Sequence, residues 1–264
     1  MKLQQHQIAC VSLLWLSAMG ATAAPIKVAI VAADTDAVEI NVESILVSLG
    51  QFSRVDVIDV KGAASTPTLA TLKQYNAVIV WSNSQFGNAT LLGNTLADYV
   101  DAGGGVVEAV YSTNSFDRLY LGGRYLSGGY SGLNLGNTGV TNLSLGTVNI
   151  PASPILTGVT ASRLTGTFRF DTGSVRAGSV DVADWSIAPL VVTTAVGSHT
   201  TVDLNFYPGD ANYFTNDLGL LASNALTYAV AINTAPVPEP STYALLAAGL
   251  LGLTAAARRR KLPV

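Results

Sequence analysis

Apolar residues in the first half of the chain follow two alternating patterns, short continuous runs and longer segments with helical spacing. Ile26 to Ala32 is a continuous run rich in β-branched residues, which predicts a strand covered on both faces. From Glu39 to Leu49 the apolar residues recur at close to helical spacing, and Gly50 ends the predicted helix. The alternation continues with strands at 55–60, 77–81 and 106–110, and with helices near 69–72 and at 91–102. Strands and helices joined by short turns predict right-handed crossovers and a parallel sheet.

After Asn114 the pattern changes, and a glycine-rich stretch to about Gly139 predicts a long loop. Shorter strands are predicted at 147–150, 164–170, 189–194 and 201–206, and a closing helix from Asp217 to Val230. We interpret these later strands as additions to the same sheet. Residues 24–234 are therefore predicted to form one α/β domain of flavodoxin-like type, with a mostly parallel sheet and helices on both faces.

The first 23 residues have the three parts of a secretory signal. Lys2 supplies a positive start, residues 8–19 are apolar, and Ala21-Thr22-Ala23 offers the small residues that a signal peptidase needs. We predict cleavage after Ala23. A first core helix is the alternative, but Pro25 and the strand that follows at once argue against it.

Residues 235–264 combine a proline-bounded motif, an apolar segment and a basic tail. The motif is Pro238-Glu239-Pro240, and the tail at 258–261 begins Arg258-Arg259-Arg260. The apolar segment at about 243–257 is short for a transmembrane helix, which needs roughly 17–25 residues, but flanking side chains can snorkel. The positive-inside rule keeps the basic tail in the cytoplasm. We predict a transmembrane helix that stops transfer and presents the preceding loop outside the membrane.

This order of parts resembles the PEP-CTERM sorting signal of Gram-negative bacteria. The resemblance implies recognition by an exosortase, a membrane cysteine transpeptidase that removes the tail near Pro238-Glu239-Pro240. It also implies a host that makes exopolysaccharide. We expect a protein exported across the inner membrane, transiently membrane-anchored, and then cell-surface or extracellular. An ordinary tail anchor is the alternative, but it would not need the motif beside the helix.

The middle of the chain resembles, more loosely, the class I glutamine amidotransferase-like superfamily, including its ThuA-like branch. Besides the opening strand, the resemblance is carried by Tyr75–Trp81, Tyr99–Gly105, Asn205–Pro208 and the closing helix around 224–226. Active members have a cysteine nucleophile on the turn after a strand, with a histidine base nearby. The resemblance places that turn here at Tyr111-Ser112.

The catalytic residue types expected from this resemblance are largely missing. The only cysteine is Cys10, inside the predicted signal, and His199 is the only histidine beyond it. A serine nucleophile needs a positioned base, so Ser112 with His199 is a weak candidate dyad. The alternative is that Ser112 caps a strand end and that His199 is a solvated turn residue.

Polar residues follow the predicted parallel strands, at the edge where open α/β sheets bind ligands. The candidate ligand-binding residues at this edge are Asp34, Asp36, Ser82, Asn83 and Ser112, with Asn114 beside them. They would suit a sugar or another small metabolite. Ordinary turn chemistry explains the same residue types and is the favoured alternative.

Other motifs indicate no cofactor and no metal. Asp171-Thr172-Gly173 matches the aspartic-protease triplet, but the chain has no second copy, so a strand-ending turn is the preferred interpretation. Gly103–Gly105 precedes a strand, whereas a phosphate-binding loop follows one. Asp181 and Asp184 offer calcium-type oxygens, although their spacing alone proves little.

Charge excludes one class of partner. Residues 24–238 contain nine basic and sixteen acidic residues, a net charge of −7, and no basic stripe to bind nucleic acid.

Three functions stay open. We favour a non-enzymatic surface or matrix protein that contacts extracellular polysaccharide or neighbouring proteins. The alternatives are an extracellular hydrolase or sugar-modifying enzyme, and a small-ligand or glycan binding module.

Overall fold

A nine-stranded sheet runs through the part of the chain that the computed structural model describes, residues 25–62, 64–116, 119–210 and 214–234. The signal at 1–23, the Pro-Glu-Pro motif and the predicted transmembrane helix lie outside these residues. The strands are β1 Lys27–Ala33, β2 Arg54–Asp59, β3 Ala77–Ser82, β4 Gly105–Ala109, β5 Thr138–Val148, β6 Thr165–Asp171, β7 Val180–Trp185, β8 Pro189–Val196 and β9 His199–Leu204.

Helices connect the strands of the first half and close the chain. They are α1 Asp36–Ser48, α2 Leu69–Leu72, α3 Ala89–Asp101, α4 Gly123–Ser127 and α5 Gly219–Thr234. A π-helical turn, Phe214–Leu218, leads into α5, and 3₁₀ turns lie at Pro154–Leu156 and Ala161–Arg163. The Asn88 side chain caps α3 by accepting a bond from the Leu91 amide at 2.9 Å. Gly103, with a φ of 90°, follows its last turn.

The sheet is mixed, which corrects the prediction of a mostly parallel one. Its strand order is β2-β1-β3-β4-β9-β8-β7-β5-β6. The first five strands in this order are parallel to one another, and the alternating pattern predicted this for β1 to β4. The pairings from β9 through β8, β7 and β5 to β6 are antiparallel. The later strands do extend the same sheet, as predicted, but as hairpin-like additions without crossover helices.

Helices cover both faces of the parallel half, which confirms that prediction. On one face α1 and α5 pack against the sheet, with Leu46 and Leu226 in the same buried cluster as Ile30. On the other face α3 places Leu96 against Val31. Alternate residues of β1 thus enter opposite cores, so the strand is apolar throughout. The predicted loop at 114–139 contains the short helix α4.

The antiparallel strands β5 and β6 form an arm that bends over the carboxyl ends of β4 and β9. Phe168 of β6 stacks on Trp185 of β7 with ring centroids 4.8 Å apart. The other end of the arm carries Asp171, the last residue of β6, to Thr113 in the turn after β4. The arm therefore brings residues from late in the sequence to the edge where the parallel strands end.

Across the described residues, no helix has both the length and the apolar character needed to cross a membrane.

Candidate functional site

Asp34, directly after β1, is the centre of a buried network at the carboxyl edge of the sheet. Its Oδ2 accepts hydrogen bonds from Trp81 Nε1 at 3.0 Å and from the Tyr207 hydroxyl at 2.5 Å. Its Oδ1 accepts one from the Thr35 amide at 2.7 Å. Asn83 Nδ2 lies 3.3 Å from the same Oδ1 and 2.8 Å from the Tyr207 oxygen. Since both carboxylate oxygens are occupied, Asp34 supports the edge and offers little to a ligand.

Burial, and then the hydrogen bond to Asp34, raises the pKa of Tyr207 far above its ordinary range. The guanidinium of Arg169 lies 5.1 Å from the centre of the Tyr207 ring and forms an ion pair of 3.2 Å with Asp210. Tyr111 packs beside Tyr207, with ring centroids 5.5 Å apart. The two tyrosines are therefore buried and neutral, and the partly exposed Arg169 beside them carries a positive charge.

Asp36 belongs to a second acidic group, beside the start of α1. The ammonium of Lys61 lies 3.1 Å from Asp36 Oδ1, 3.3 Å from Asp59 Oδ2 and 3.9 Å from Glu39 Oε1, and it also bonds the Asp34 carbonyl. Burial raises the pKa of Glu39 to about 7, against the opposing effect of the Lys61 charge. The three carboxylates are close enough to share a metal ion. Lys61 already supplies the positive charge at that point, so the group needs no metal.

The two serines predicted at the edge both point into the protein. The Ser82 hydroxyl donates to the Leu119 carbonyl at 2.6 Å. Ser112 is 1% exposed, and its hydroxyl lies 3.5 Å from the Val80 carbonyl. Ser112 thus lies in the turn after β4, as predicted, but its oxygen faces backbone and not an open pocket.

His199 is not brought to Ser112. It begins β9, whose last residue, Leu204, pairs with Ala109 beside the carboxyl edge. Five residues of strand separate the two ends, roughly 17 Å at a normal strand rise. The imidazole instead lies 3.4 Å from the neighbouring Ser198 hydroxyl. The structure therefore separates the two members of the candidate dyad.

Asp171, the acid of the Asp-Thr-Gly match, joins the arm to the edge. It accepts hydrogen bonds from Thr113 Oγ1 at 2.8 Å and from Asn114 Nδ2 at 2.9 Å. Asn205 accepts from the Asp171 amide at 2.7 Å and donates to its carbonyl at 2.9 Å. Burial raises the pKa of Asp171 to about 6, in spite of these bonds. As predicted, the acid ends a strand and lies next to a turn.

An open cleft lies at the same edge, over the antiparallel half. It has a volume of about 430 Å³ and is lined by Phe170, Thr172–Val175 and Ile187–Pro189. We call it the β7–β8 cleft. Ile187 is 67% exposed on the turn between β7 and β8, and Thr172 and Ser174 add hydroxyl groups. None of the described residues that line the cleft carries a charge.

Sequence reasoning missed the β7–β8 cleft. Strand β7 was not predicted, because Asp181 and Asp184 interrupt its apolar pattern. A usable signal was Ile187, an isolated large apolar residue in the polar turn before Pro189. Asp181 and Asp184 do lie near each other, and burial, followed by the hydrogen bond to Asp184, raises the pKa of Asp181 to about 6.

Comparison with family models identifies the C-terminal segment. Residues 236–261 match the model of the PEP-CTERM protein-sorting motif, a span that includes Pro238-Glu239-Pro240 and Arg258–Arg260. The chain carries a PEP-CTERM sorting motif. This motif implies export, exosortase processing and targeting to the cell surface. That model covers no other part of the chain, and no curated protein matches the chain.

Solved structures with the same fold include ThuA-like proteins. A ThuA-like protein from Bacteroides uniformis superposes with a TM-score of 0.57 at 14% identity, covering 79% of this chain and 93% of its own. A cytoplasmic protein from Salmonella typhimurium gives a TM-score of 0.57 at 13% identity, covering 77% and 99%. At these identities the likeness shows the fold alone, and it agrees with the predicted ThuA-like middle region.

Proposed function

We propose that this chain is an exported, exosortase-sorted surface protein whose α/β domain binds a neutral extracellular polysaccharide without catalysis. The observation that carries the proposal is the uncharged β7–β8 cleft, open at the edge of the sheet where α/β domains bind ligands. Its volume falls within the roughly 300–1,000 Å³ of small-molecule sites. The PEP-CTERM motif supplies the extracellular setting.

The lining of the cleft favours a neutral polyhydroxyl ligand. Thr172 Oγ1 accepts a hydrogen bond from the Asn137 amide at 3.0 Å, and Ser174 Oγ pairs with Asn134 Nδ2 at 3.1 Å. Each hydroxyl keeps its own hydrogen to donate. Ile187 provides an apolar surface for a sugar face, while an anionic polymer would find no cationic side chain in the lining.

A non-catalytic role is supported by the surroundings of Ser112. A hydroxyl nucleophile needs a base within hydrogen-bond reach, and the Ser112 hydroxyl lies against a carbonyl instead. The nearby carboxylates of Asp34 and Asp171 each accept hydrogen bonds on both oxygens.

The test is titration calorimetry of the exported protein with neutral polysaccharide from the producing host. Ile187→Arg should weaken binding by roughly tenfold or more, about 1.4 kcal/mol, because it places a charge on the apolar lip of the cleft. Val180→Arg is the matched control, since Val180 is 47% exposed at the opposite end of β7. Equal effects of the two changes would contradict the assignment of the cleft.

The same preparation tests the absence of catalysis. We expect no shortening of the polysaccharide by size-exclusion chromatography over a day of incubation, and unchanged binding in Ser112→Ala. Chain shortening that disappears in Ser112→Ala would contradict the non-catalytic role and favour the hydrolase.

A further inference from the structure

Two carboxyl groups lie side by side inside the domain, away from the β7–β8 cleft. Glu108 of β4 and Asp203 of β9 are direct partners in the sheet register, and they are 2% and 1% exposed. As register partners on adjacent strands, the two side chains leave the same face of the sheet side by side. Two buried carboxyls in contact do not both ionise at low free-energy cost, so they share a proton.

A short segment, residues 123–133, closes over this pair, and we call it the lid. Asp203 holds it directly, because Oδ1 accepts from the Ser131 hydroxyl at 3.1 Å and Oδ2 from the Gly132 amide at 2.9 Å. A Cβ on Gly132 would lie 2.8 Å from that Oδ2, so the approach is close enough to require glycine. Tyr125 and Tyr130 of the lid stack, with ring centroids 5.6 Å apart.

One cation, Arg176, lies near the pair beneath the lid and offsets part of its negative charge. Glu108 Oε2 and the Tyr125 hydroxyl are buried and lack a hydrogen-bond partner among the described residues. Arg176 attracts Asp203 and donates to the Leu126 carbonyl of the lid at 3.4 Å. Asp171 adds to the negative potential at Glu108.

We propose that the Glu108–Asp203 pair is a pH-sensitive latch: with one shared proton it holds the lid closed, and release of that proton to solvent opens the lid. Burial, followed by the Asp203 charge, raises the pKa of Glu108 well above its ordinary value. Burial also raises the pKa of Asp203. Because both folded-state values exceed the unfolded ones, the stability due to the proton is full in acid and is lost as the pH rises through the folded values.

The test compares the exported wild-type protein with Glu108→Gln between pH 5 and pH 9. Glutamine keeps the size of the side chain and can donate to Asp203, so it imitates the protonated pair at every pH. At pH 9 we expect the variant to have a Tm higher than wild type by roughly 5 °C, because the variant does not have to lose a shared proton. After correction for intrinsic exchange, the lid amides of the wild type should open at least tenfold more at pH 9 than at pH 6. In the variant, the opening of these amides should not change between the two pH values.

Two controls keep the result specific. Glu39 also has a raised pKa, so Glu39→Gln will alter the pH profile of Tm without altering lid exchange. Matching pH profiles for wild type and Glu108→Gln would overturn the latch. If that variant does not fold, infrared spectra of wild type decide. A protonated-carboxyl band must persist above the ordinary titration range of carboxyl groups and vanish together with lid protection, and loss of the band with lid protection unchanged overturns the proposal.

Discussion

At the scale of single residues, the carboxyl edge depends on the buried carboxylate of Asp34. Asp34→Ala would leave Trp81 Nε1, the Tyr207 hydroxyl and the Thr35 amide without their acceptor. An unsatisfied buried polar group costs about 1–3 kcal/mol, so we expect a loss of roughly 3 kcal/mol or more in the free energy of unfolding. Urea unfolding followed by tryptophan fluorescence measures it.

Asp36 is the matched control for Asp34, because it lies two residues away on the surface, with its side chain 84% exposed. Asp36→Ala removes one exposed ion pair with Lys61, which is worth at most about 1 kcal/mol. Comparable losses in the two variants would show that the Asp34 bonds contribute no more than a surface contact.

The residues of this edge were predictable from sequence, but their environment was not. Asp34, Asn83 and Ser112 follow apolar strands, and that pattern placed them correctly at the ends of the strands. The donor Tyr207, however, lies 173 residues along the chain from Asp34. No local pattern in the sequence predicts such a contact. Because Tyr207 covers the Asp34 carboxylate, this candidate ligand-binding group has a structural role instead.

At the scale of elements, the contact of α3 with the start of α4 rests on one glycine. Gly93 lies inside α3, and a Cβ there would lie 2.0 Å from the Gly122 carbonyl oxygen. Glycine to alanine inside a helix normally stabilises by up to about 1 kcal/mol. Because overpacking costs about 1–3 kcal/mol, we expect Gly93→Ala to lower the Tm. A raised Tm would mean that α4 moves away freely.

Docking of the β5–β6 arm depends on Asn205. Its side chain bonds both backbone groups of Asp171 and the Pro189 carbonyl at 2.9 Å, and it is buried. Asn205→Ala should cost roughly 2–4 kcal/mol and raise amide exchange throughout β6, because these groups lose their partners. Asn142→Ala, at an exposed position of β5, is the control and should leave exchange at Asp171 unchanged.

The two halves of the sheet differ in how far sequence could predict them. Strand β3 is buried at every position, so its apolar run was plain, whereas most of β5 is exposed and lacks such a run. Strand β5 places Leu143 and Leu145 against the core and otherwise depends on its pairing with β6 and β7. Pairing of this kind depends on distant residues, which is why the prediction of a mostly parallel sheet was wrong.

At the scale of the whole molecule, the last described helix, α5, lies close in sequence to the sorting motif. Asn233, next to the end of α5, accepts from the Thr200 amide at 2.8 Å and donates to the Thr200 and Gly104 carbonyls at 3.1 and 3.3 Å. The last turn of α5 is thus tied to β9 and to the residue before β4. The PEP-CTERM motif starts three residues later, at 236.

Deletion of everything from Pro238 onward should therefore separate sorting from folding. We expect a Tm within about 1 °C of wild type, because the bonds of Asn233 remain, together with loss of surface sorting in an exosortase-bearing host. Intact mass of the exported protein locates both processing sites, and fractionation locates the protein. Glu239→Ala, which keeps the length and the basic tail, should impair processing alone. Unchanged surface localisation of the deletion would refute the role of the motif, whereas a large drop in Tm would show that the tail supports the domain.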